Sequence, residues 1–209
     1  MGNRAVITTK ENFDNNGIGV YLHWNGGRDS VNAFLTYCKM KGFRVPEKDN
    51  YGWARLVQVI ANFFGGSLSI GIDDVCYLDC DNGDNGVYII ENWEIVGRKY
   101  FCDSEQNEYD LTEMLIAIDE AQPVSNQFGK DYLKGNVIKI SEVKVGDILG
   151  FLDWSGEVVK AKIIGIGEDK TINGRNVKGV PYMALYSLED PSNNGNNYLR
   201  EDTEYRKLN

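Results

Sequence analysis

Gly19-Val20-Tyr21-Leu22-His23-Trp24-Asn25-Gly26-Gly27-Arg28-Asp29-Ser30 runs directly into residues 31–41, and this junction decides how the first half of the chain is read. Residues 18–24 alternate, with Val20, Leu22 and Trp24 on one face and Tyr21 and His23 on the other, which predicts a strand. Beyond the double glycine, Val31, Phe34, Leu35 and Cys38 make one helical stripe, with Asp29 or Ser30 as the expected cap. A strand that turns through glycine into a helix aims backbone N–H groups and a positive helix end at one point, a geometry suited to an anion. Gly26 and Gly27 would let backbone approach a ligand closely, Arg28 offers a guanidinium fork, and Trp24 or Tyr21 could stack on a base. His23, the only histidine, and Asn25 complete the candidate ligand-binding set His23, Trp24, Asn25, Gly26, Gly27 and Arg28. A competing reading is a tight turn whose Trp24 packs in the core and whose Arg28 pairs with an acid. Neither a phosphate-binding Gly-x-x-x-x-Gly-Lys loop nor a dinucleotide fingerprint is present.

Outward from that junction, residues 5–9 read as a short strand, and Asp14-Asn15-Asn16-Gly17 as a turn. Gly42 and Pro46 separate the first helix from a second, opened by Asp49 or Asn50 and stopped by Gly65-Gly66. Residues 68–72 read as a strand, 75–79 and 87–93 as a hairpin around the polar loop 81–86, and 94–101 as a further strand. Asp110 and Glu113 have the spacing of a capping box for a third helix ending before Pro123. The polar stretch 126–135 is the expected linker.

After it the pattern turns to β alone, with strands expected at 137–140, 147–154, 158–166 and 180–188 and turns at Ser155-Gly156 and Asn173-Gly174. Val143-Lys144-Val145-Gly146-Asp147 has the form that opens small SH3-like barrels. The expected organisation is therefore α+β: a domain at 1–125 with three helices on a mixed or antiparallel sheet, then a small SH3-like β-barrel at 136–190. Residues 191–209 read as a tail holding a loop and a short last strand or frayed end.

The chain has 209 residues, 42% of them hydrophobic, enough for a buried core. No run approaches the roughly 20 apolar residues of a membrane span, and no export signal is recognisable, so a cytoplasmic protein is expected, with no membrane partner. Four cysteines (Cys38, Cys76, Cys80, Cys102) then read as free thiols. Cys76-x-x-x-Cys80 is one residue longer than a zinc knuckle, and the loop from Asp79 lacks the oxygen spacing of a calcium hand, so no metal and no cofactor are expected.

The net charge is −9, and residues 73–120 hold 14 acidic side chains against Arg98 and Lys99 alone. Such a segment repels a phosphate backbone, so direct nucleic-acid binding is not expected, whereas a basic protein surface is attracted. Asp73, Asp74, Asp79, Asp81 and Asp84 are the candidate partner-binding residues. No Gly-x-Ser-x-Gly elbow is present and no carboxylate pair stands out, so no catalytic residue is assigned.

Met1-Gly2-Asn3-Arg4-Ala5-Val6-Ile7, Tyr21 to Ser30 as quoted above, and Tyr51-Gly52-Trp53-Ala54-Arg55-Leu56 resemble stretches of uncharacterised proteins from phages and mobile elements of Gram-positive bacteria. The resemblance implies a context, the bacterial host cell, in which small phage proteins counter host defence by sequestering nucleotide signals or by obstructing nucleic-acid-handling enzymes. Three readings follow. The first is a non-catalytic protein that sequesters a small anionic, nucleotide-like ligand. The second is an acidic, anti-CRISPR-like inhibitor that blocks a basic nucleic-acid-binding surface of a host enzyme. The third is an enzyme acting on a nucleotide or sugar. The sequence is compatible with a homo-oligomer.

Overall fold

The computed structural model describes residues 2–13, 17–66, 69–102, 105–166, 171–172, 175–176, 181–184 and 196–208. The chain is α+β and divides into two compact units, 1–127 and 128–209. Among the described residues are four α-helices.

Unit 1 runs β1 (Ala5–Thr8), β2 (Ile18–Leu22), α1 (Arg28–Met40), α2 (Asn50–Phe64), β3 (Ile70–Asp74), β4 (Val87–Glu91), β5 (Glu94–Lys99) and α3 (Leu111–Glu120). The five strands form one sheet in the order β3-β2-β1-β4-β5. It is mixed: β1 and β4 are parallel and the other neighbours antiparallel.

Helix ends follow local chemistry. Asp49 caps α2 by accepting from Tyr51 N, and Gly65 ends it at φ +63°, a left-handed geometry that costs glycine little. Asp110 caps α3 by accepting from Thr112 N and Glu113 N. α1 departs from expectation. Its N-cap is Gly27, which has no side chain to cap with, and Asp29 and Ser30 lie inside the first turn, where the Asp29 carboxylate binds backbone groups described below.

α1 packs on α2 and α3. Val20 and Leu22 of β2 are fully buried, as are Ile7 of β1 and the helix residues Phe34, Leu35, Leu56, Ile60 and Ile118. The Tyr37 hydroxyl donates to Asp119 Oδ1 at 2.8 Å and ties α1 to α3.

The expected hairpin between 75–79 and 87–93 does not form. β3 pairs with β2 at one edge of the sheet, whereas β4 lies beside β1 and runs parallel to it. Strands whose chain direction repeats need a crossover, and residues 75–86 supply it. Val75, with Leu78 and Cys80 beside it, packs on Val6 and Val87 together with Phe13 and Tyr21. Gly19 admits Leu78, whose Cδ1 would lie 2.6 Å from a β-carbon at that position. The sheet therefore carries a second apolar cluster on the face where Val6 and Tyr21 point. The hairpin that does form joins β4 to β5 through Asn92 and Trp93, at φ +51° and +64°. Trp93 is held there by burial and by its Nε1–H, which donates to Phe43 O at 2.9 Å.

Unit 2 holds α4 (Lys130–Lys134), β6 (Asn136–Ile138), β7 (Ile148–Leu152), β8 (Val158–Ile166), β9 (Thr171–Ile172), β10 (Arg175–Asn176), β11 (Pro181–Ala184), β12 (Asn196–Tyr198) and β13 (Tyr205–Leu208). β9 and β10 pair with each other. The other six strands form an antiparallel sheet in the order β12-β11-β8-β7-β13-β6, open at both edges among the described residues rather than closed into a barrel. The phrase 143–147 does make a turn: Gly146 sits at φ +96° and Asp147 Oδ2 accepts from Lys144 N. Closure would need the edge strands β12 and β6 to pair, and no such ladder is present among the described residues; the last strand instead lies between β7 and β6.

The expected linker is structured, and of the two readings of the tail's end the short last strand is the one observed. The linker holds α4, whose Tyr132 is buried, its ring atom Cδ2 lying where a β-carbon on Gly150 of β7 would be only 2.9 Å away. The tail supplies β13, where buried Tyr205 joins Val143, Leu149, Ala161, Ile163 and Leu199 in the core. The expected turns at 14–16 and 173–174, and residues 185–188 and 191–195, lie outside the described residues.

Candidate functional site

The glycine–arginine junction is engaged by the chain itself. A β-carbon on Gly26 would meet Ala5 N and Arg4 C at 2.6 Å, and Gly26 N donates to Asn3 O at 2.8 Å. A β-carbon on Gly27 would meet Gln106 O at 2.6 Å. Both glycines are therefore needed for backbone to pass close to backbone. Arg28 Nε donates to Glu105 Oε2 at 2.5 Å. Asp29 Oδ2 accepts from Glu108 N and Tyr109 N at 2.5 and 2.7 Å, and its Oδ1 accepts from Ser30 N. Residues 105–109 thus lie across the start of α1 and satisfy it. Asn25, at φ +54°, turns inward and donates to Ser30 Oγ.

His23 and Trp24 face outward instead. Trp24 is 46% exposed, and its ring meets the His23 imidazole edge-on at 4.9 Å. His23 Nδ1 lies 3.3 Å from the Tyr21 hydroxyl. Burial raises the Tyr21 pKa, Arg4 opposes that, and Asp79 and Asp84 add to it, so both carboxylates are electrostatic neighbours of this aromatic group. The ladder register pairs Tyr21 with Gly71 and Gly19 with Asp73, which sets Asp73 on the same face as Tyr21.

The structure divides the expected ligand set: His23 and Trp24 lie beside Tyr21 at the end of β2, where Tyr21 shares a sheet face with Asp73 and has Asp79 as an electrostatic neighbour, while Gly26, Gly27 and Arg28 are engaged at the start of α1. Asp81 is exposed on the crossover, and Asp74 lies on the opposite ladder face from Tyr21. Asp84 is structural. Its side chain is only 11% exposed and accepts from Arg4 N and Nε. Burial pushes this carboxyl up, but those hydrogen bonds outweigh it and hold it below its ordinary value. Asn82 closes the rest of the loop by bonding Asp79 O, Gly86 O, Asp84 N and Gly86 N. Tyr77 of the crossover is 77% exposed, as a satisfied core residue would not be.

At the start of α1, Tyr88 and Arg98 form a cross-strand pair that the sequence reading passed over. Arg98 Nε donates to Asn85 O, and its Nη1 lies 3.7 Å from Glu105 Oε1. Its guanidinium stacks at 4.4 Å on the Phe101 ring. Arg98 Nη2 and the Tyr88 hydroxyl are buried with no hydrogen-bond partner. A buried polar group left in that state costs about 1–3 kcal/mol, so this pair calls for an explanation. Burial, with Glu105 and Asp29 outweighed by the two arginines among the charges, pushes Tyr88 up to about 12, keeping it a neutral donor.

Two of the four thiols, Cys38 and Cys80, are poorly placed to act as nucleophiles, while Cys76 and Cys102 are exposed. Cys38 is sealed in the core, which raises its pKa far above the ordinary thiol value. Burial, then Asp79 and Cys76, also raise Cys80, which donates to Val75 O. Among the described residues no group of three or more His, Cys, Asp and Glu side chains is placed to hold a metal ion, and no helix is long and apolar enough to cross a membrane. No family model, no curated protein and no solved structure matches the chain.

Proposed function

We propose that unit 1 is a binding module that presents Tyr21, His23 and Trp24 together with Asp73, Asp79 and Asp81 to a basic protein surface, and that it works by occupying that surface rather than by catalysis. The observation that carries this reading is that unit 1 exposes His23 and Trp24 together with the carboxylates Asp73, Asp79 and Asp81, which meet little opposing charge. Arg4 is the one cation paired with this acidic group among the described residues, and it is held mainly by Asp84, at 2.7 Å against 3.9 Å to Asp79. Aromatic faces and carboxylates together suit lysine and arginine, through cation–π contact and charge-assisted hydrogen bonds. In the phage context implied by the sequence resemblance, the partner is a host enzyme whose basic groove handles nucleic acid, and the module acts as its inhibitor.

The test uses a fluorescent arginine-rich peptide as the basic probe, titrated by anisotropy against the intact chain. Binding should weaken steeply between about 50 and 500 mM salt, because exposed opposite charges are screened over a Debye length. Trp24→Ala should weaken it by about 3- to 30-fold, the range of a lost cation–π contact. Equal affinity for Trp24→Ala and the native chain would reduce the interaction to unspecific charge and sink the reading.

A further inference from the structure

The unpartnered groups at the start of α1 point to a second site that does not depend on the docking surface. The Arg28 and Arg98 guanidinium groups lie over one ring, that of Tyr88, at 5.9 and 5.6 Å from its centroid. Glu105 answers each arginine with one oxygen, Oε2 to Arg28 Nε and Oε1 to Arg98 Nη1. Both carboxylate oxygens are then engaged, and two buried donors of the same residue cluster have no acceptor: Arg98 Nη2 and Tyr88 Oη. The Arg98 side chain is only 9% exposed, so solvent does not relieve it, while Arg28 at 41% leaves the cluster open on one side. The remaining nearby charge, Asp29, is committed to the Glu108 and Tyr109 amides.

We propose that Glu105 stands in for a phosphate group, and that Arg28, Arg98 and Tyr88 bind a phosphate or phosphate monoester when the Glu105 side chain swings away. The chemistry differs from the resident carboxylate in the two respects the cluster leaves unmet. A phosphate offers at least three terminal oxygens where a carboxylate offers two, giving acceptors to Nη2 and the Tyr88 hydroxyl. It also carries close to two negative charges at neutral pH, matching two guanidinium groups where Glu105 supplies one. Residues 105–109 then act as a built-in competitor, and only a ligand that satisfies more donors than Glu105 displaces it.

Titration calorimetry at constant ionic strength tests this with inorganic phosphate and, separately, with a nucleoside 5′-monophosphate. Glu105→Gln should bind inorganic phosphate at least about tenfold more tightly than the native chain. Adding Tyr88→Phe or Arg98→Lys to that variant should remove about tenfold, although neither change disturbs the Arg28 guanidinium. Similar affinities for the two probes identify phosphate itself as the ligand, and tighter nucleotide binding identifies a nucleotide as its source. No gain from Glu105→Gln, or no loss from the second substitutions, would overturn the proposal. If Glu105→Gln does not fold, the native chain decides it: phosphate at tens of millimolar should shift the Arg98 side-chain and Glu105 amide resonances, and unmoved resonances would overturn the site equally.

Discussion

Tyr21–Trp24 and Gly26–Asp29 adjoin in sequence, yet the fold uses them in opposite ways. In the second group each residue is engaged internally: Gly26 and Gly27 by backbone of residues 3–5 and 106, Arg28 by Glu105, and Asp29 by two distant amides. In the first, Tyr21 lends only part of its ring to packing, and His23 and Trp24 lie at the surface. A glycine pair at a helix start carries the signature of a ligand loop, but close approach of the chain to itself requires the same residues. What separates the two roles is whether another segment fills the space.

This contrast can be broken most directly by adding one carbon. Gly26→Ala places a β-carbon 2.6 Å from backbone atoms that have no room to yield, and should cost about 2–3 kcal/mol in urea unfolding. Trp24→Ala, two residues earlier, should stay within about 0.5 kcal/mol of the native chain. Equal costs would erase the distinction.

Asp29→Ala sharpens it from the other partner's side. Loss of the carboxylate that receives Glu108 N and Tyr109 N should cost about 1–2 kcal/mol and loosen residues 105–109, read as faster amide exchange there. The comparison helix is α3, capped by its own Asp110, where Asp110→Ala should cost about 1 kcal/mol with no change in exchange at residues 105–109.

The smallest effect concerns pH. Asp84 has its pKa lowered in the folded chain relative to an ordinary carboxyl, so its stabilising contribution is complete above about pH 4 and disappears as pH falls through the lowered value. The stability gap between the native chain and Asp84→Asn should accordingly be open at neutral pH and close in acid. A gap that widens on acidification would remove the Arg4 pairing as its cause.

Local signals were the ones that could be read without coordinates. Asp49, Gly65 and Asp110 mark helix ends because caps involve groups within three residues. The strand order was not legible. Residues 75–86 carry hairpin-like polarity, and only the pairing of Val6 with Val87 shows that they cross the sheet. The place of the tail's last strand in the sheet was not legible for a related reason. Asn-rich residues precede β13, but Tyr205 and Leu208 are buried through contacts with strands more than 50 residues earlier. At the candidate sites, His23 and Trp24 were named from sequence in one group and Asp73 and Asp79 in another, and only the β2–β3 register shows that Asp73 shares a sheet face with Tyr21. Glu105, Tyr88 and Arg98 were missed because each looks ordinary in its own stretch. Their significance arises only where three segments meet.

The most direct test of the central claim, that the outward-facing half of the contrast is the half that docks a basic protein surface, is amide chemical-shift mapping of the arginine-rich peptide on the intact chain. Shifts concentrated at residues 21–24 and 73–81, with residues 26–29 and 105–109 unmoved, are the expected result. Shifts centred on the start of α1, or spread over unit 2 with 21–24 and 73–81 unmoved, would contradict it.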